Sequence, residues 1–273
     1  MKRRLKLAGA NLASRIADRH TGVGGDGLIL LLPPTTGEAH VRMQMFNLDG
    51  SEGQICGNGI RCVAKLFHDN GRVAEEPIRV ETASGVKVIE LSRDGEAVVA
   101  ATVDMGEPET GPQAVGLTQA GPRRGSAFRK VGDEVYALNM VTGKGPIEMS
   151  LVSMGNPHAV VFVDRLEDVT LREDGPRITD HPAFTGGINT HFVEVVDRSR
   201  VNILHWERGS GPTLACGTGA CAVCVAGALT GRTERNIVAG VPGGELTLRW
   251  DETSGHVFMT GPAVEVFRGT WEY

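Results

Sequence analysis

One layout occurs twice in this chain, and few folds accommodate that. Cys56-Gly57-Asn58-Gly59 and Cys216-Gly217-Thr218-Gly219 stand 160 positions apart, and each opens a stretch that reads as a helix stopping at a glycine fifteen positions after its cysteine, Gly71 and Gly231. Nine positions ahead of each cysteine an alternating run ends on a polar residue: Asn47 after Val41, Met43 and Met45, and Glu207 after Val201, Ile203 and His205. Past each helix an extended segment holds an isoleucine and a glycine seven apart, Ile78 and Gly85 in one copy, Ile237 and Gly244 in the other. An offset of 160 positions through strand, loop and helix, and of 159 in the strand that follows, marks a duplicated unit rather than a short solenoid repeat. The expected architecture is α+β in two similar halves, able to face each other across a cleft.

The remaining segments fit that frame. Leu7 to Arg19 reads as helix, and the apolar run Leu28 to Leu32 as a buried strand stopped by Pro33-Pro34. Segments 41–46, 78–81, 86–91 and 97–103 are β-branched or alternating and read as strands. From Gly106 to Gly125 the chain carries three prolines and five glycines with little apolar pattern, the texture of a domain crossing. The halves are therefore expected at 1–110, with 262–273 returning to the first, and at 111–261. Further strands are expected near 134–140, 147–153, 158–163, 190–196, 200–206, 237–241, 245–250, 256–260 and 263–267. Only the two repeat helices read as strongly apolar, and Ala220 to Leu229 has no charged face, as expected of a helix wrapped by sheet.

Composition narrows the function. The 37 glycines among 273 residues are roughly double the usual share of about 7%, which implies many tight turns and close backbone approaches. A net charge of −5, with no basic run, argues against nucleic acid as the partner. The longest apolar stretch is too short to span a bilayer and no hydrophobic signal region follows the basic start, so a soluble, cytoplasmic protein acting on a small molecule is expected. Five cysteines, an odd number, speak against a disulfide framework.

A cysteine just ahead of a helix lies near the unpaired N–H groups of the first turn, where partial positive charge favours a thiolate. The same N–H groups can hold a carboxylate, and glycines at the first and third following positions leave the backbone bare to a ligand. One such site suits a nucleophile. Two, from opposed halves, suit a thiolate that removes a proton from one side of a carbon while a thiol delivers one to the other, which inverts a stereocentre. Cys62, Cys221 and Cys224 fall inside the helices, where packing is the expected role. Cys221-x-x-Cys224 lacks a second ligand pair and the histidines show no metal spacing, so neither metal nor other cofactor is expected. Gly22 to Gly27 lacks the lysine of a phosphate loop and reads as a tight turn.

The motifs Asp18-Arg19-His20-Thr21-Gly22-Val23-Gly24, Phe46-Asn47-Leu48-Asp49-Gly50-Ser51-Glu52, Cys56-Gly57-Asn58-Gly59-Ile60-Arg61-Cys62, Ser153-Met154-Gly155-Asn156-Pro157-His158, Trp206-Glu207-Arg208-Gly209 and Ala215-Cys216-Gly217-Thr218-Gly219-Ala220-Cys221 together resemble the diaminopimelate epimerases that work without pyridoxal phosphate. The resemblance implies two pseudo-symmetric halves, each a curved, mostly antiparallel sheet around a central helix. It also implies interconversion of LL- and meso-2,6-diaminopimelate on the route to lysine and peptidoglycan, and allows a homodimer. By resemblance Cys56 and Cys216 are the acid/base pair. Backbone N–H groups of Gly57, Asn58, Gly217 and Thr218 then hold the α-carboxylate. Asn47, Asn156, Asn189 and Arg208 match substrate contacts, Arg208 as a bidentate fork on the distal carboxylate. His158 and Glu207 match polar groups beside the reacting centre.

One departure stands out. Members of that family begin with a strand and a Gly-x-Gly-Asn-Asp-Phe turn, whose asparagine touches substrate. Here Gly9-Ala10-Asn11 lies inside a helical pattern, and the role is not transferred to Asn11. Three alternatives stand beside the epimerase: a proline or hydroxyproline racemase, an isomerase of this fold without thiol chemistry, and a redox-sensing or binding protein in which Cys56 and Cys216 close as a disulfide.

Overall fold

A computed structural model describes residues 10–53, 56–71, 76–117, 129–138 and 146–272. It divides into two compact units, one of residues 1–103 with 261–273, the other of 104–260.

In the first unit, residues 10–16 form helix α1. Its expected continuation through Arg19 gives way to a turn, because the Asp18 carboxylate accepts from the backbone N–H groups of His20 and Thr21 and competes with helix continuation; residues 7–9 lie outside the described residues. Strand β1 (Gly27–Leu32) pairs antiparallel with β2 (Val41–Asn47) along its whole length, Gly27 opposite Asn47. The two-residue β3 (Glu52–Gly53) returns along the end of β2. Helix α2 (Gly57–Asp69) follows, and then β4 (Ile78–Thr82) joins β2 in parallel, Val41 opposite Val80. Strands β5 (Gly85–Asp94) and β6 (Ala97–Asp104) complete an antiparallel run. Helix α2 lies over β2, β4 and β5.

The second unit repeats this pathway. It opens with β7 (Glu109–Thr110), β8 (Arg129–Gly132), β9 (Val135–Leu138), β10 (Ile147–Ser153) and β11 (Pro157–Val163), followed by helix α3 (Leu171–Thr179). Then β12 (Asn189–Asp197) pairs antiparallel with β13 (Arg200–Glu207), and β14 (Gly211–Thr213) returns along the end of β13. Helix α4 (Gly217–Leu229) leads to β15 (Asn236–Val241), which joins β13 in parallel, Val201 opposite Ala239, and β16 (Gly244–Trp250) and β17 (Val257–Pro262) finish antiparallel. The sequence β12-β13-β14-α4-β15-β16-β17 therefore retraces β1-β2-β3-α2-β4-β5-β6, and the fold is α+β and sheet-dominated.

The two repeat helices differ from each other more than the sequence suggests. Helix α4 buries nearly every residue, with Ala220 to Ala226 at 0–1% exposure, so small side chains pack on all sides. Helix α2 instead buries a stripe of Ile60, Val63, Ala64 and Phe67 and turns Lys65, Asp69 and Cys62 outward. The expectation that Cys62 packs inside is thus corrected: it lies on the exposed face of an amphipathic helix, whereas Cys221 and Cys224 are fully buried. Both helices stop where expected, at Gly71 (φ 64°) and Gly231 (φ 69°), left-handed positions that glycine takes without the cost of a β-carbon.

Two further departures have local causes. Residues 263–267 form no strand: β17 ends at Pro262, and Val264, Val266 and Phe267 lie exposed and pair with no strand among the described residues. Helix α3 is absent from the sequence reading because Gly175 and Pro176 sit within it. Gly175 is needed there, since a β-carbon would come within 2.5 Å of the Trp206 ring.

Candidate active site

Each candidate cysteine is the N-cap of its helix with nearly the same backbone: φ −125°, ψ 111° at Cys56 and φ −122°, ψ 108° at Cys216. The first intrahelical bonds run from Ile60 N–H to the Cys56 carbonyl and from Ala220 N–H to the Cys216 carbonyl, each 2.9 Å. Such a cap leaves the first-turn N–H groups of Gly57 and Asn58, and of Gly217 and Thr218, without intrahelical acceptors, the arrangement that binds anions.

In the first unit Cys56 Sγ accepts the Gly59 N–H at 3.3 Å and is partly exposed. Gly59 packs closely on β1: a β-carbon there would stand 2.3 Å from Ile29 Cδ1, the movable end of that side chain. Asn47, at the end of β2, donates from Nδ2 to Ser51 Oγ at 2.9 Å, which fixes its side chain across the turn to β3. Asn58 Oδ1 is buried without a hydrogen-bond partner among the described residues, the kind of unsatisfied acceptor that a bound ligand or water can complete.

In the second unit Cys216 is 5% exposed, and its sulfur lies 3.7 Å from Thr218 Oγ1. Burial first, and the neighbouring Glu207 carboxylate second, push this thiol well above 9, so Cys216 rests protonated. Glu207 ends β13 and accepts from Thr213 Oγ1, an anchor across the turn to β14. Asn189, 4% exposed, ties two strand ends together: Nδ2 donates to the Pro157 carbonyl and Oδ1 accepts the Arg208 N–H, both at 3.0 Å. Arg208 is held along one edge by the Gly186 carbonyl at 3.0 Å, with the rest of an exposed guanidinium projecting from the turn.

The feature that spacing does not disclose is a row of three buried imidazoles. His158, His191 and His205, all 0% exposed, come from adjacent strands β11, β12 and β13. Asn156 Oδ1 lies 2.9 Å from His158 Nε2, His158 Nδ1 lies 2.8 Å from His191 Nε2, and His191 Nδ1 lies 2.9 Å from His205 Nδ1. Burial is the first cause that holds the rings neutral, with pKa values lowered to about 3 for His158 and about 4 for His205, and well below 6.5 for His191. The row supports the cysteine turn directly: a β-carbon on Gly219 would stand 2.4 Å from His191 Cε1. Ligand-type atoms of His158, His191 and Cys216 fall within 4.8 Å of one another, but His158 and His191 are already committed to the imidazole row, which reads as a hydrogen-bonded chain rather than a metal cradle. Sequence reasoning finds His158 through its motif and misses His191 and His205; the inward position of His205 in the alternating β13 is the one signal available, since β12 buries both neighbours of His191.

The fold is shared with solved isomerases and related proteins. It is similar to a hydroxyproline epimerase from Agrobacterium vitis at TM-score 0.61, 16% identity and coverage of 96% of this chain and 78% of that one. It is also similar to a phenazine biosynthesis protein of the PhzF family from Bacillus anthracis at TM-score 0.61, 13% identity, 97% of this chain and 88% of that one. Doubled units of this topology place the chain in the fold that these proteins share.

Sequence comparison narrows this to one family. The diaminopimelate epimerase family model matches residues 3–111 and 150–266. The diaminopimelate epimerase of Desulfovibrio desulfuricans is 47% identical over 260 residues, covering 95% of this chain and 88% of that protein. That of Acetivibrio thermocellus is 44% identical over 262 residues, with the same coverage. The chain belongs to the diaminopimelate epimerase family.

Proposed function

We propose that this protein interconverts LL- and meso-2,6-diaminopimelate by a two-base mechanism in which Cys56 and Cys216 act on the same α-carbon. The observation that carries the reading is the pair of N-cap cysteines on topologically equivalent units, each followed by first-turn N–H groups with no intrahelical acceptor. In one direction Cys56 as thiolate takes the α-proton, forming its S–H bond as the C–H bond breaks. Cys216, held protonated by burial and by Glu207, delivers its proton to the opposite face of the carbanion. The pair ends with roles exchanged, and the reverse reaction begins from that state. Proton transfer by positioned groups of this kind contributes about 10²–10⁴-fold each.

The carbanion is stabilised where its charge spreads, on the α-carboxylate, by the N–H groups of Gly57, Asn58, Gly217 and Thr218. Arg208 holds the distal carboxylate, with Asn47, Asn156 and Asn189 completing the contacts. His158 and Glu207 lie next to the reacting centre, where both stand close to Cys216.

The test is incubation of the protein with LL-diaminopimelate in D2O under reducing conditions, with proline as control. Conversion to the meso isomer with deuterium at the inverted carbon is expected, and proline is left untouched. Exchange on proline but not on diaminopimelate would overturn the substrate assignment.

A further inference from the structure

The imidazole row ends in an asymmetry. His205 Nε2 is buried without a hydrogen-bond partner among the described residues, whereas the other end of the row closes on the partly buried side-chain amide of Asn156. A neutral imidazole donates from one nitrogen and accepts at the other, so a row of three admits only two polarities. In the first, His158 donates Nε2–H to Asn156 Oδ1, His191 donates Nε2–H to His158, and His205 donates Nδ1–H to His191. The unpartnered His205 Nε2 is then a bare lone pair. In the second every bond reverses, the Asn156 amide turns over, and His205 is left with an orphaned N–H in the core. Buried N–H groups without partners are the rarer and costlier of the two, so the first polarity is favoured.

That choice reaches the surface of the site. With Oδ1 taken by His158, Asn156 has only its NH2 group left to offer, a donor suited to a carboxylate. In the reversed polarity it would offer a carbonyl oxygen, which repels one. We propose that His191 and His205 are positioning residues that fix the His158 tautomer and thereby set Asn156 as a hydrogen-bond donor toward a carboxylate of the substrate. The tautomer part stands on the geometry alone; the substrate part rests on the function proposed above.

Two experiments test this. Long-range 15N–1H spectra of histidine-labelled protein, with the His205 ring assigned by its loss in His205→Asn, report which nitrogen of each ring carries the proton. Nε2–H on His158 and His191 with Nδ1–H on His205 is expected; the opposite tautomers or a mixture would overturn the proposal, whatever the protein does to diaminopimelate. In the second, His205→Leu removes the donor to His191, and His205→Asn restores one near the Nδ1 position. His205→Leu should raise KM for diaminopimelate about tenfold, the usual scale for a lost hydrogen bond to a charged group, with kcat within about threefold. His205→Asn should return KM to near the parent value. Asn156→Asp, which keeps the acceptor for His158 but puts a carboxylate where the NH2 group stood, should raise KM further than His205→Leu. A folded His205→Leu protein with unchanged KM would sink the positioning role. A wild-type protein without epimerase activity would instead refute the function and leave the tautomer result standing.

Discussion

The two cysteine turns share a backbone and differ in what stands behind it. Ile29 and His191 occupy the same place in their units, each two residues into the strand that pairs with the one ending at Asn47 or Glu207, and each facing a matched partner, Met45 or His205. Behind Gly59 is therefore a branched aliphatic carbon, and behind Gly219 an imidazole locked at both nitrogens. Cys56 is partly exposed and Cys216 buried. Strand β12 carries β11 on its outer edge in parallel, whereas among the described residues the same edge of β1 carries no strand. Duplication has preserved the turn that aims a sulfur and a row of N–H groups, while the packing around it has diverged. The same cap can then serve a partly exposed thiol in one unit and a buried, protonated one in the other.

The sharpest way to break the comparison is to remove one sulfur at a time. Cys56→Ser and Cys216→Ser should each lower the rate of epimerisation by about 10³-fold or more, since a hydroxyl is a far weaker proton-transfer partner than a thiol, with melting temperatures close to the parent protein. Unequal losses, with one variant keeping near-parent turnover, would mean that the two turns are alike in shape only.

Acid should separate the units next. The folded pKa values of His205 (about 4) and His158 (about 3) lie below the unfolded value of 6.5, so the unfolded chain binds the protons first. The stability these rings contribute is complete above pH 6.5 and is lost as pH falls toward 4, amounting to about 3 kcal/mol from His205 alone. The histidines described in the first unit, His20, His40 and His68, are not buried. Amide exchange at pH 7 and pH 4.5 should therefore show protection lost mainly in β11, β12 and β13; equal loss in both units would contradict the buried-imidazole account.

A β-carbon probes the same contrast more gently. Gly219→Ala presses on His191 at 2.4 Å, where the ring cannot move without breaking two hydrogen bonds, and should cost about 2 kcal/mol by thermal or urea unfolding. Gly59→Ala meets only the end of the Ile29 side chain, which can turn aside, and the gain in helix propensity of about 1 kcal/mol offsets much of the strain. Smallest of all, Cys62→Ser on the exposed face of α2 should change stability by less than about 0.5 kcal/mol and leave activity intact, while abolishing alkylation at that position.

Much of this was legible in the residues. Offsets that stay within one residue between the two copies reveal the duplicated strand, turn, helix and strand because the motif is local, and the glycines at 71 and 231 mark helix ends by their backbone demands. The imidazole row is not legible: His158, His191 and His205 lie 33 and 14 positions apart, and only the register of β11, β12 and β13 brings them into line. Helix α3 is hidden because Gly175 is placed for Trp206 and Pro176 breaks the helical pattern. The difference between α2 and α4 is only partly legible: Lys65 and Asp69 mark the outward face of α2, but Arg61, equally charged, is buried.

The most direct test of the two-thiol account compares inversion with elimination in the single-cysteine variants. A diaminopimelate analogue carrying halide on the β-carbon needs one base only: the α C–H and the C–halogen bonds break, a C=C bond forms, and HX is released. Cys56→Ser and Cys216→Ser should both fail to epimerise diaminopimelate in D2O yet both still release halide, each from the analogue of opposite α-configuration. Halide release confined to one variant for both configurations, or epimerisation surviving in either, would contradict the assignment of one thiol to each face of the carbon.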